Sequence, residues 1–163
     1  MKTLLLLRHA KSSWKDSDLD DHDRPLNKRG RRDAPRMGRL LVEWNLLPDY
    51  ILSSTAKRAR KTAESIIEEV NFRGETRFSI DLYHADRAHI VQLVRQIPDH
   101  YSRVLWIGHN PGLEEFLELA TGVATPLTTA ALAEIEFNMT SWQQLSAGVT
   151  GRLVRTCQPR ELD

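Results

Sequence analysis

Thr3-Leu4-Leu5-Leu6-Leu7-Arg8-His9-Ala10 decides how this chain is read. Four leucines in a row, flanked by polar residues, form a short apolar run of the kind found in strands covered on both faces. Residues 3–8 therefore read as a buried strand ending at Arg8-His9. Val104-Leu105-Trp106-Ile107 repeats the pattern and ends at Gly108-His109-Asn110-Pro111, while Tyr50-Ile51-Leu52-Ser53 is a shorter version ending at Ser54-Thr55-Ala56-Lys57-Arg58.

Between these runs the apolar residues take helical spacing. Met37, Leu40, Leu41 and Trp44 mark a helix over residues 28–44, and Ala59, Ala63, Ile66, Ile67 and Val70 mark a second. A strand near residues 77–80 precedes a third helix through Ile90, Leu93, Val94 and Ile97. Asn110-Pro111 reads as the start of a fourth, with asparagine as cap and proline at the first helical position. Residues 131–137 and 152–157 complete the strands. Strands alternating with helices predict an α/β fold with a mostly parallel sheet. No repeat, low-complexity tract or linker divides the chain, so residues 1–163 are expected to form a single domain.

Composition excludes several classes. The chain has 163 residues, 40% hydrophobic and 28% charged, which is globular rather than fibrous or disordered. A formal net charge of +1 gives no overall field for nucleic acid, so attraction of an anion must be local. Cys157 is the single cysteine, which excludes an intrachain disulfide and suits a reducing compartment. The leucine run is too short for a secretory signal and no stretch approaches a membrane span, so a cytoplasmic location is expected.

In an open parallel sheet, ligands bind beyond the carboxyl ends of the strands. That rule gathers Arg8, His9, Arg58 and His109 at one edge. Arginine offers a planar fork of donors matched to phosphate oxygens, and histidine is a nucleophile when unprotonated. Each residue alone is ordinary; together they read as a phosphate site with a nucleophile.

Those same residues resemble a known family. Leu7-Arg8-His9-Ala10 is similar to the "RHG" signature of the histidine phosphatase superfamily, with alanine in place of glycine. Residues 53–63 resemble its "SSxxxRAxxTA" block, and Gly108-His109-Asn110 the block with the second histidine. Arg8-His9-Ala10-Lys11-Ser12-Ser13-Trp14, Asp23-Arg24-Pro25-Leu26 and Leu82-Tyr83-His84-Ala85 narrow the resemblance to the SixA-type phosphohistidine phosphatases. It implies a three-layer α/β/α sandwich of phosphoglycerate mutase-like fold. It implies a phosphatase that needs no cofactor or metal, with a transient phosphohistidine on His9. Arg8, Arg58 and His109 would hold the phosphoryl oxygens. The implied substrate is phosphohistidine on a signalling or phosphotransfer protein; nucleic acid and membrane are not expected partners. The alternatives are a phosphatase of small phosphate esters or anhydrides, and a non-catalytic phosphohistidine-binding module.

Several positions stay open at this level. Arg24 reads equally as a member of the phosphate rim and as a surface charge, and Ser12 as a donor to substrate or a solvated loop residue. Asn110 is expected to cap its helix. Many relatives carry an acidic proton donor near Asp81-Leu82-Tyr83-His84-Ala85-Asp86; Asp86 and His84 are the candidates here, and a phosphoramidate tolerates a weak or absent acid. The acidic loop over residues 16–23 lacks the glycine and glutamate of a calcium loop, so it reads as solvated or partner-facing. His84 and His89 match no zinc pattern.

Overall fold

A computed structural model describes residues 1–148 and 150–163. Strands β1 (Lys2–Arg8), β2 (Tyr50–Ser54), β3 (Glu75–Ser79), β4 (Arg103–Gly108), β5 (Leu132–Phe137) and β6 (Gly151–Cys157) form one sheet in the order β3-β2-β4-β1-β5-β6. The first four are parallel, β5 runs antiparallel to β1, and β6 runs antiparallel to β5. Helices α1 (Lys28–Glu43) and α2 (Lys57–Val70) cover one face, α3 (Arg87–Arg95) and α4 (Gly112–Thr121) the other.

The leucine run shows why. Successive strand side chains point to opposite faces, so Leu5 and Leu7 pack with α1 and α2 while Leu4 and Leu6 pack with α3 and α4. All four are at most 1% exposed. At roughly 1.5–3 kcal/mol for each fully buried side chain, a strand apolar on both faces has a strong reason to lie at the centre. Leu105 and Ile107 against Val104 and Trp106 repeat the division in β4.

β1 and β4 pair from Thr3–Arg103 to Arg8–Gly108, which sets His9 and His109 side by side just past the ends of adjacent strands. The chain leaves β1 towards α1 on one face and β4 towards α4 on the other, opening a crevice between the two connections. Two glycines allow close approach there. A Cβ on Gly30 of α1 would lie 2.2 Å from the Lys11 carbonyl oxygen, and one on Gly112 would lie 2.0 Å from that of Ala85.

One local expectation is corrected. Asn110 does not cap α4: Pro111 holds the cap position and Asn110 Nδ2 donates instead to the Leu127 carbonyl, 2.8 Å away. The amide serves better as a tie to the loop before β5, where Leu127 also receives Arg8 Nη1 at 3.1 Å.

Candidate active site

The crevice is a cavity of about 450 Å³ lined by Arg8, His9, Arg24, Arg58 and His109 among others. Arg8, His9, Arg58 and His109 were expected at one edge of the sheet and Arg24 was left open between rim and surface; the structure brings all five together.

His9 is 7% exposed. Its Nδ1 lies 2.7 Å from the Ala10 carbonyl oxygen. A carbonyl can only accept, so Nδ1 carries the proton and Nε2 holds the free lone pair. Arg58 Nε, 3.4 Å from Nε2, donates towards that lone pair. Burial first, with Arg58, Arg8 and Arg24 nearby, lowers the His9 pKa to about 3 against the weaker opposing pull of the Ala10 bond. The ring is neutral at physiological pH, with its unprotonated nitrogen facing a guanidinium.

His109 lies with its ring centroid 5.0 Å from that of His9. Its Nε2 is 2.8 Å from Ser54 Oγ, and its buried Nδ1 has no partner among the described residues. Burial, reinforced by His9 and Arg58, lowers its pKa to about 3 as well. Arg8 Nε is likewise buried and unpaired among the described residues. Buried polar atoms without partners are uncommon in folded proteins; these two and Asn110 Oδ1, among the described residues, all belong to side chains that line one cavity.

Arg58 sits in the first turn of α2, where the chain turns back from β2. Its Nη1 donates to the Asp21 carbonyl at 2.7 Å and its Nη2 to Asp21 Oδ2 at 3.0 Å. Asp21 Oδ1 also accepts from Arg24 Nη1 at 2.7 Å, and Oδ2 from the Tyr83 hydroxyl. The Tyr83 bond first, then Arg58 and Arg24, holds the Asp21 carboxyl well below the usual carboxylate range. Arg24 is buried beneath the exposed Trp14 ring, its guanidinium carbon 3.2 Å from the ring centroid, and it also donates to Ser12 Oγ. Arg24 and Ser12 are thus parts of the pocket wall rather than solvated loop residues.

The two candidate donors differ. His84 lines the pocket with its ring stacked on Tyr83 at 3.9 Å. Asp86 also lines it, but its Oδ1 accepts from the His89 amide and caps α3.

Four contributors escaped sequence analysis as site residues. Asp21 lay in the loop read as solvated or partner-facing, and Tyr83 in a segment scanned for acids. Ser54 and Thr62 stood inside the second motif without a role. Thr62 Oγ1 accepts from the Ala10 amide at 3.0 Å and donates to the Arg58 carbonyl at 2.7 Å, tying the His9 loop to α2. For Tyr83, Ser54 and Thr62 the signal was membership of the motifs, and Asp21 gave none; the partners of all four are visible only in three dimensions.

Residues 4–83 match the family described as the histidine phosphatase superfamily (branch 1). An uncharacterized chloroplastic protein of Arabidopsis thaliana is 35% identical over 90% of this chain and 71% of its own length. The putative phosphohistidine phosphatase SixA of Agrobacterium tumefaciens superposes with a TM-score of 0.83 at 27% identity, covering 97% of this chain and 98% of that one.

The chain belongs to the histidine phosphatase superfamily, in its SixA-type branch.

The putative SixA of Nakamurella multipartitia gives the same TM-score and identity over 97% of this chain and 96% of its own. The fold is the phosphoglycerate mutase-like one, and membership supports phosphatase activity.

Proposed function

We propose that this histidine phosphatase removes phosphoryl groups from phosphohistidine on another protein, through a transient phosphohistidine on its own His9. The observation that carries the reading is the tautomer of His9: Nδ1–H held by the Ala10 carbonyl leaves Nε2 unprotonated beside Arg58.

In the first step the Nε2 lone pair attacks phosphorus and the phosphorus–nitrogen bond of the substrate breaks. The departing imidazole takes a proton from water, or from His84 or Asp86 at the rim. In the second step water attacks the phosphoryl group on His9, inorganic phosphate leaves, and the Nε2 lone pair is restored. Arg8, Arg58 and the unpaired Nδ1 of His109 hold the phosphoryl oxygens while charge shifts among them. Ser54 Oγ already accepts from the Ala56 amide at 3.1 Å. With the Ser54 hydroxyl proton given to His109 Nε2, 2.8 Å away, the ring carries its own proton on Nδ1 and donates from there. Arg24 and Ser12 complete the rim.

One further feature supports a protein substrate: the pocket is an open cavity at the sheet edge rather than a closed chamber.

The test is phosphate release from a histidine-phosphorylated protein beside a generic phosphate ester, with His9→Ala as control. Release from the phosphoprotein that disappears in the variant is the expected result. Release from the ester alone would discard the phosphohistidine substrate, and release by the His9→Ala protein would discard the nucleophile.

A further inference from the structure

A second cavity, of about 320 Å³, shares a wall with the catalytic one. Thr129 lines both, and the far side is lined by Arg29, Arg32, Thr128 and Arg160. Arg29 Nη2 donates to Thr129 Oγ1 at 3.2 Å, so a guanidinium stands on the ridge between the two cavities. The loop carrying Thr129 is fixed to the nucleophile's own loop, because the Ala130 amide reaches both the Arg8 and His9 carbonyls at 3.0 Å.

The charge on this ridge is unbalanced. Arg29, Arg32 and Arg36 converge on one buried carboxylate, Asp33, at 4.0, 3.2 and 3.2 Å. Arg36 is matched a second time by Asp163 at 2.9 Å. With Arg160, four guanidiniums face two side-chain carboxylates in a chain whose formal net charge is only +1. The Arg29 and Arg32 side chains are 55% and 56% exposed. Guanidiniums held this loosely do not clamp a small ligand; they attract and orient a charged surface. Elsewhere the catalytic rim carries Asp86 and Glu115, so the charge around the mouth is polarised and can set the sense in which a partner docks.

We infer that the Arg29–Arg32–Arg160 ridge is a docking surface for the acidic flank of the phosphorylated protein, resting on the phosphoprotein reading above. The spacing suits it. Side chains three or four residues from a phosphohistidine on a partner helix lie about 5–6 Å away, and a single residue, Thr129, is common to the walls of the two cavities. With the phosphohistidine seated against His9, carboxylates one turn away on the partner would face the Arg29 side of that wall.

The decisive variant is Arg29→Glu with Arg160→Glu, which leaves Arg32 and Arg36 on the buried Asp33. The substrates are phosphoimidazole and a histidine phosphotransfer domain phosphorylated with phosphoramidate, its histidine flanked by acidic residues. For the phosphoprotein, kcat/KM is expected to fall about tenfold at low salt, mostly through KM. The loss should shrink as salt shortens the screening length to a few ångströms. Phosphoimidazole turnover should not change, which also shows that the variant folds. A partner with its flanking acids changed to lysine should recover the variant and impair the wild type. Equal turnover of the phosphoprotein by both enzymes overturns the docking surface, as does an equal loss on phosphoimidazole. A wild type that turns over phosphoimidazole and ester but no phosphohistidine protein overturns the substrate reading, and the docking surface with it.

Discussion

The loops after β1 and β4 are near twins: each ends a buried strand, each delivers a histidine to the same crevice, and each ring is neutral. They differ in which nitrogen is engaged. His9 gives Nδ1 to the backbone of its neighbour Ala10, while His109 gives Nε2 to the side chain of Ser54 on β2. The free atom is therefore Nε2 in one ring and Nδ1 in the other. His9 keeps a lone pair facing Arg58; His109 keeps a buried atom with no partner among the described residues. In the proposed mechanism these two histidines, both with lowered pKa, take opposite roles through their hydrogen bonds, one attacking phosphorus and one donating to its oxygens.

The sharpest way to break this asymmetry is to remove each ring. His9→Ala is expected to reduce phosphate release to the uncatalysed rate and to leave no acid-labile phosphoenzyme on rapid quench. His109→Ala should lose roughly 10²–10³ in kcat, the worth of one transition-state donor, and still label at His9. Labelling at position 109 in the His9→Ala protein would reverse the assignment. Arg58→Ala should match the His109 loss.

Asp21→Asn is a smaller perturbation. It keeps the shape but weakens charge-assisted bonds to Arg58 and Arg24, each worth about 1.5–3 kcal/mol at most. A fall of about tenfold in kcat, recovered in part by Asp21→Glu, is the expected steady-state result. Ser54→Ala removes one neutral bond from His109, for which about 0.5–1.5 kcal/mol, or two- to tenfold, is expected. An effect as large as that of His109→Ala would mean that Ser54 contacts the phosphoryl group itself.

The last prediction concerns pH and should show no change where ordinary histidines change most. With both rings lowered to about 3, their carbon-bound proton resonances should stay flat from pH 8 to 5. In the unfolded chain these groups titrate near 6.5 and take up protons that the folded state refuses. Their contribution to stability is complete above about pH 6.5 and is lost as pH falls from there towards 3. Urea midpoints measured across that window should slope less steeply in His9→Ala. A ring titrating near 6.5 in the folded protein would remove the basis for its neutral role.

Much of this was legible in the sequence, and the reason is the covalent adjacency of cause and effect. The leucine run and its copy in β4 specify strands buried on both faces, and the proposed catalytic histidines immediately follow them. The α1 pattern survives an internal Pro35, a residue that costs a helix about 3 kcal/mol, because Met37, Leu40 and Leu41 bury a face against the sheet. Asp21 was not legible. Its partners Arg58 and Tyr83 lie 37 and 62 residues away, and its neighbours 16, 18, 20 and 23 have the composition of a solvated loop. Asn110 failed for a related reason: a good cap in sequence found a better partner in Leu127, brought close only by β5.

The Ala10 carbonyl holds a consequence for inheritance rather than for chemistry. The atom that sets the tautomer of His9 belongs to the main chain, so every amino acid at position 10 supplies it. Point mutation can erase Ser54 and leave His109 without its anchor, but no codon deletes a backbone oxygen. One of the two histidines is thus exposed to genetic drift at its orienting bond, and the other is open to it only through residues that bend the loop, such as Thr62 and Gly30.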